Sequence, residues 1–144
     1  MKTVILAGGY GSRIPEYTNK IPKPMIKVGG VPLLTHIMRI FKSYGYDEFL
    51  IAAGYKKKVI ENYYKDSNEF KKLKIIDTGK FTMTGGRILK LKKFFSKGEV
   101  FFMTYGDGLC DINLNNLERF HKKHKNLASV TAVHPPVRFG ELKI

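Results

Sequence analysis

The stretch Thr3-Val4-Ile5-Leu6-Ala7-Gly8-Gly9-Tyr10-Gly11-Ser12-Arg13 decides the fold. Apolar and β-branched residues run without alternation into a pair of glycines, which reads as a buried strand, Thr3 to Ala7, delivering the chain into a tight loop. Three glycines let backbone N–H groups come close to a phosphate chain, and the guanidinium of Arg13 would neutralise it. A glycine-rich turn after a first strand is, alone, as often only a turn. Neither G-x-G-x-x-G nor G-x-x-x-x-G-K-[ST] occurs, so the two commoner phosphate loops lose ground.

Working outward, Pro15, Pro22 and Pro24 argue for an extended loop over residues 10 to 24 rather than an immediate helix. Ile26 to Val28 suits a short strand and Gly29-Gly30 a turn. Pro32 suits a first helical turn, followed by the core-facing stripe Leu33, Leu34, Ile37, Met38, Ile40 and Phe41 up to a stop at Gly45. The alternation then continues: strand Glu48 to Ala53, helix Lys56 to Lys65, strand Lys74 to Asp77, helix Gly86 to Phe95, strand Val100 to Tyr105, helix Leu114 to Lys125, strand Ser129 to His134. Asp66 to Lys72 is polar enough for a loop. Strands alternating with helices imply an α/β fold, a mostly parallel sheet with helices on both faces. Ligands of such sheets bind beyond the carboxyl ends of the strands, where Gly8-Gly9, Gly54 and Gly106 all fall.

A chain of 144 residues with 43% hydrophobic content is the size of one ordinary domain, 1–144. No apolar run reaches 18 residues and the N-terminus meets glycine too soon for a signal peptide, so a cytoplasmic protein with no membrane partner is expected. The single cysteine, Cys110, has no partner for a disulfide or a zinc site. The 26 basic residues against 12 acidic ones, a net charge of +14, raise nucleic acid, an anionic membrane surface and phosphorylated small molecules as partners, and charge alone does not choose among them. The lysine clusters also suit solvated outer faces of helices. No RNA-reading motif accompanies them, which speaks against nucleic acid.

Three further features carry chemistry. Lys23 sits between Pro22 and Pro24, which holds a cation where a surface lysine would wander. Asp107, between Gly106 and Gly108 at the end of the strand Val100-Phe101-Phe102-Met103, is a carboxylate against which a metal-bound triphosphate could sit, although an Asp-Gly pair alone is a turn more often than a metal site. Asp111 reads as a cap of the next helix. Gly85-Gly86 brings a helix N-terminus, with Thr84 as its cap, close to any anion. His36, His121 and His124 lack the company of metal-ligating residues and read as structural or surface groups.

The ordered set LAGGxGxR, PKPM and the apolar helix opened by Gly29-Gly30-Val31-Pro32-Leu33-Leu34 resembles the signature of sugar-1-phosphate nucleotidyltransferases. Asp77-Thr78-Gly79 with Met83-Thr84-Gly85-Gly86-Arg87, and Pro135-Pro136-Val137-Arg138-Phe139-Gly140, resemble the glucose-1-phosphate cytidylyltransferase branch. The resemblance covers nearly the whole chain. It implies a Rossmann-like nucleotide-diphospho-sugar transferase fold, truncated at its C-terminus, with residues 1–144 as the N-terminal nucleotide-binding portion. It also implies that Leu6, Ala7, Gly8, Gly9, Gly11, Ser12, Arg13, Lys23, Thr82, Arg87 and Gly106 contact the nucleotide, that Arg13 and Lys23 are catalytic, and that Asp107 binds Mg2+. The partners implied are CTP and glucose 1-phosphate, in a homo-oligomer or with a complementing C-terminal chain. Two departures stand out: family members continue beyond Ile144, where a second metal-binding aspartate is expected, and the stretch between Tyr64 and Leu73 is shorter here. A related transferase using another nucleotide or sugar phosphate, and a truncated, non-catalytic basic binding module, are the alternatives.

Overall fold

The computed structural model describes residues 1–12, 14–124 and 126–134, in two compact units, Met1–Asp111 and a second beginning at Ile112. In the first unit, four parallel strands, β1 (Lys2–Ala7), β4 (Glu48–Ala53), β5 (Lys72–Asp77) and β6 (Phe102–Tyr105), form a sheet in the order β5-β4-β1-β6. A two-stranded hairpin, β2 (Lys27–Val28) and β3 (Val31–Pro32), turns at Gly29-Gly30. The helices of this unit are α1 (Pro15–Thr18), α2 (Leu33–Ser43), α3 (Lys57–Tyr64) and α4 (Thr84–Lys90), with 3-10 turns at Lys23–Met25 and Lys92–Phe94.

The unalternating apolar runs become the two central strands because both of their faces are covered. Val4, Leu6, Leu50 and Ala52 pack on one face against Leu91 and the partly buried Ile76, Ile88 and Phe94 around α4. The odd-numbered residues point the other way, where the ring of Phe102, in register with Thr3, meets Phe41 of α2 at 5.5 Å. Phe49 meets Phe70 at 5.7 Å on this side. Fully buried side chains such as Ile5, Leu34, Phe49 and Ile51 each contribute about 1.5–3 kcal/mol relative to exposure. Right-handed crossovers account for the split: β1 to β4 to β5 steps one way across the sheet, and the return to β6 steps back, putting α4 on the opposite face from α2.

Several expectations shift. Residues 10 to 24 are not wholly extended: Pro15, at the first helical position, starts the single turn α1, which ends at Thr18. The helix expected over Gly86 to Phe95 starts earlier, at Thr84, and tightens to 3-10 geometry after Leu91, which turns Phe94 toward the sheet. Thr84 is the first helical residue rather than the cap, and no side chain caps this helix. Val100 and Phe101 precede β6 instead of joining it, Phe101 packing its ring on Phe95 at 4.5 Å.

In the second unit, α5 (Leu114–His124) is capped by Asn113, whose Oδ1 accepts from the Asn116 N–H at 3.0 Å; Asp111 is not the cap. Asn113 occupies the position immediately before the helix, from which a short side-chain oxygen reaches the third helical amide. His121 Nδ1 and His124 Nε2 both lie on Ser129 Oγ, at 3.0 and 2.7 Å. The strand expected over Ser129 to His134 does not form. Val130 and Val133 are exposed, as is Leu127. A β-branched pattern makes a strand only when another strand takes its backbone hydrogen bonds, and none does so here among the described residues. Pro135 to Gly140 lie outside the described residues.

Candidate active site

The sheet order reverses at β1: β4 lies on one side and β6, the last strand to be made, on the other. The crevice beyond the carboxyl ends of β1 and β6 is therefore the topological switch point, the place where parallel sheets bind ligands. A cleft of about 440 Å³ opens there, lined by the glycine loop, the Lys23-Pro24 turn, the segment Lys80–Thr84 and the end of β6. Among the described residues, those that line it belong to the first unit.

The glycine loop is built from below. Gly11 has φ +66°, and a Cβ there would sit 2.6 Å from a Thr18 methyl and 3.2 Å from Lys23 Cβ, so glycine is required both by the backbone and by the packing. Buried Thr18 donates its hydroxyl to the carbonyls of Gly11 and Ile14, each at 3.1 Å, tying α1 to the loop. Beneath Gly8 lies the guanidinium of Arg87, whose residue is only 6% exposed. Its Nη2 donates to Gly8 O at 2.8 Å; its Nη1 donates to Thr78 Oγ1 at 2.6 Å, to Gly79 O at 2.9 Å and to Ala53 O at 3.3 Å. Burial pushes this guanidinium below the usual arginine range, with Asp77 and Tyr10 opposing; an arginine nonetheless stays cationic in any physiological buffer.

Across the cleft, Gly106 closes onto Pro24. A Cβ at position 106 would meet Pro24 Cγ at 2.6 Å, and the Gly106 N–H donates to Leu6 O at 2.9 Å. This contact brings two residues far apart in sequence to the same rim: Lys23 Nζ lies 2.5 Å from Asp107 Oδ2, both side chains about one-third exposed. The segment Lys80–Thr84 supplies an aromatic and cationic wall. Tyr10 stacks on Tyr55 at 4.8 Å, Phe81 lies 6.2 Å from Tyr10, and Lys80 Nζ sits 5.6 Å from the Tyr10 ring and 5.4 Å from that of Phe81.

Of the residues singled out from the sequence, Leu6, Ala7, Gly8, Gly9, Gly11, Lys23, Thr82, Arg87, Gly106 and Asp107 all line this cleft. Ser12 is exposed beside it and does not line it, and Arg13 lies outside the described residues. Sequence reading missed the wall formed by Tyr10, Lys80 and Phe81; the only hint was an aromatic residue within each of two glycine-bounded segments. It also missed Thr78, the buried acceptor for Arg87.

No group of three or more histidine, cysteine or acidic side chains that could hold a metal exists among the described residues. Among the described residues the donor set at the cleft is one carboxylate, Asp107, about one-third exposed on the lip with one oxygen on Lys23 Nζ. That set fits magnesium, which keeps several waters and is commonly held by one or two carboxylates together with substrate phosphates.

A four-stranded parallel sheet with a glycine-lined crevice at its switch point defines an α/β protein with an open cleft where such sheets bind ligands. Residues 2–144 match the nucleotidyl transferase family, and the chain belongs to it. It is 38% identical over its whole length to glucose-1-phosphate cytidylyltransferase of Salmonella typhimurium and 39% identical to a probable glucose-1-phosphate cytidylyltransferase of Bacillus subtilis, spanning 65% of the length of each. Over 97% of the chain it is 32% identical to mannose-1-phosphate guanylyltransferase 1 of Arabidopsis thaliana, covering 40% of that protein. Among solved structures, HddC from Yersinia pseudotuberculosis complexed with GMP-PN superposes on 83% of this chain and 53% of its own with a TM-score of 0.70 at 28% identity. No helix among the described residues is long and apolar enough to cross a membrane.

Proposed function

We propose that the chain is the nucleotide-binding portion of an enzyme that transfers a cytidylyl group from CTP to glucose 1-phosphate, giving CDP-glucose and pyrophosphate. The observation that carries this reading is the meeting of Lys23 and Asp107 across the mouth of the glycine-loop cleft. The choice of cytidine and glucose is supported by the two relatives matched over the whole chain.

In the proposed reaction a phosphate oxygen of the sugar phosphate forms a bond to the α-phosphorus of the nucleotide, the P–O bond to the β-phosphate breaks, and pyrophosphate leaves with the bonding electrons. A phosphate monoester, with a second pKa near 6, is already mostly deprotonated at neutral pH, so no protein base is required. The residues then have one task, to bring polyanions together and hold the charge that gathers on the phosphate oxygens. Backbone N–H groups of the glycine loop bind the triphosphate. Lys23, restrained by its flanking prolines, offers three donors from the opposite lip, and Arg13 adds a second cation. Magnesium, held by Asp107, would supply charge neutralisation on the phosphate oxygens when bound. Thr82 and the Tyr10 and Phe81 rings offer polar and stacking contacts to the rest of the nucleotide.

Calorimetric titration of the 144-residue protein with CTP, UTP, dTTP, ATP and GTP, with and without magnesium, tests the reading. Magnesium-dependent binding with CTP preferred is the expected result. A preference for GTP would move the assignment to guanylyl transfer, the reaction named for the plant relative; binding of no nucleotide would overturn it.

A further inference from the structure

Arg87 is a buried cation, and among the described residues no carboxylate pairs with it in an ion pair. Its acceptors are instead the carbonyls of Gly8, Ala53 and Gly79 and the hydroxyl of Thr78. These lie at or just beyond the carboxyl ends of three different strands, β1, β4 and β5. Thr78 is itself fully buried, and its hydroxyl has both capacities in use: it donates to Ala53 O at 2.6 Å and accepts from Arg87 Nη1 at 2.6 Å. Room for the guanidinium exists only because two neighbours lack side chains. A Cβ on Gly8 would stand 2.1 Å from Nη1, and one on Gly54 would stand 2.5 Å from it.

Peptide geometry turns this arrangement into an aiming device. Every peptide bond among the described residues is trans, so the carbonyl of Gly8 and the N–H of Gly9 point in opposite directions from one rigid plane. The Gly8 carbonyl is held in the floor by Arg87 Nη2 at 2.8 Å and by the Tyr55 N–H at 3.2 Å. The N–H of Gly9 is thereby turned away from the floor, and a Cβ on Gly9 would meet nothing within 4 Å. Gly9 itself lines the cleft.

We infer that Thr78 and Arg87 form a buried staple that sets the orientation of the glycine loop, so that both are positioning residues for the anion which the loop receives. Thr78 fixes the guanidinium, the guanidinium fixes the Gly8 carbonyl, and the Gly8–Gly9 peptide presents its N–H to the ligand. The identity of that anion as a nucleoside triphosphate rests on the function proposed above; the staple itself does not.

The test compares the full chain with Thr78→Val, which keeps shape and burial but removes the hydroxyl, and Thr78→Ser, which restores it. Amide hydrogen exchange without ligand is read for the loop at the two amides that close on its carbonyls, Tyr55 on Gly8 O and Ile14 on Gly11 O, each at 3.2 Å, against the strands β1 and β4, alongside the Kd for magnesium CTP. Thr78→Val should speed exchange in the loop while leaving the strands as protected as in wild type. It should also weaken CTP by about tenfold or more, the scale of one lost hydrogen bond to a charged group; Thr78→Ser should return both toward wild type. Arg87→Lys keeps a charge but cannot span the acceptors, so it should show the same loop signature, and it decides the matter should Thr78→Val fail to fold. Unchanged loop exchange in these variants, with only CTP affinity lost in Arg87→Lys, would make Arg87 a direct phosphate contact and overturn the staple. Exchange rising equally in the loop and in both strands would reduce the pair to general stability and overturn it too. If wild type binds no nucleotide, the proposed function falls, while the ligand-free exchange still decides the staple.

Discussion

The floor and the rim of the cleft use cations in opposite ways. Arg87 on the floor is buried and engaged with carbonyls from three strands, whereas Lys23 on the rim is about one-third exposed and meets a single carboxylate, Asp107. Removing a buried guanidinium bonded on several sides breaks several hydrogen bonds to a charged group at once, each of which contributes roughly 1.5–3 kcal/mol. An exposed lysine–carboxylate pair contributes about 0–1 kcal/mol and is readily exchanged for a ligand. Cations that hold the fold together and cations available for chemistry are thus separated by burial.

The largest effect that would sharpen this comparison is on the rim. Lys23→Ala should leave the melting temperature close to wild type while nucleotidyl transfer falls about 100 to 1000-fold, the usual loss for one preorganised electrostatic contact. Assay of the enzyme form that shows turnover, with a thermal melt beside it, checks both halves, and near wild-type turnover would remove Lys23 from the chemistry. On the floor the pattern should invert. Gly54→Ala would press its Cβ within 2.5 Å of Arg87 Nη1 and 2.7 Å of Gly79 O, and should lower stability by about 1–3 kcal/mol in a urea titration, as overpacking does. A stable Gly54→Ala protein would mean that the floor yields easily and that the contrast with the rim is weaker than drawn.

The smallest effect concerns an ion pair remote from the cleft, Arg39 with Glu69 at 2.6 Å. The hydrogen bond from Arg39, then its charge, hold the Glu69 carboxyl below the usual range, with burial opposing. A depressed carboxylate adds stability that is present above its unfolded pKa and is lost as pH falls through the folded value. In Arg39→Gln the difference in stability between pH 7 and pH 3 should shrink slightly, and a difference equal to wild type would show that the exposed pair contributes nothing.

Much of the fold was legible because long apolar runs leave little choice. Glu48 to Ala53 formed a strand with the expected bounds, and Leu34, Ile37, Met38 and Phe41 are buried as the helical period required. Ser129 to His134 was misread because β-branched residues state a preference that only a neighbouring strand can satisfy. Asp111 lost the capping role to Asn113 because both side chains can cap, and two residues of offset decide which one reaches the helix. At the candidate site, glycines and a proline-flanked lysine announced themselves by local rarity. Thr78 did not, since its importance comes from Arg87, nine residues later in sequence and joined to it only by the fold.

The central position of β1 has a consequence for how the protein is made. Thr3 pairs on one side with Phe49 and on the other with Phe102, and about 50 residues of synthesis, roughly 3 to 10 s at cellular translation rates, separate the arrival of those two partners. During that interval a nascent chain can hold the glycine loop and its floor strands β4 and β5 while one edge of β1 stays unpaired and the lip bearing Asp107 does not yet exist. Closure of the cleft therefore waits on the synthesis of β6, and until then one edge of β1 presents unpaired backbone groups that another strand could take.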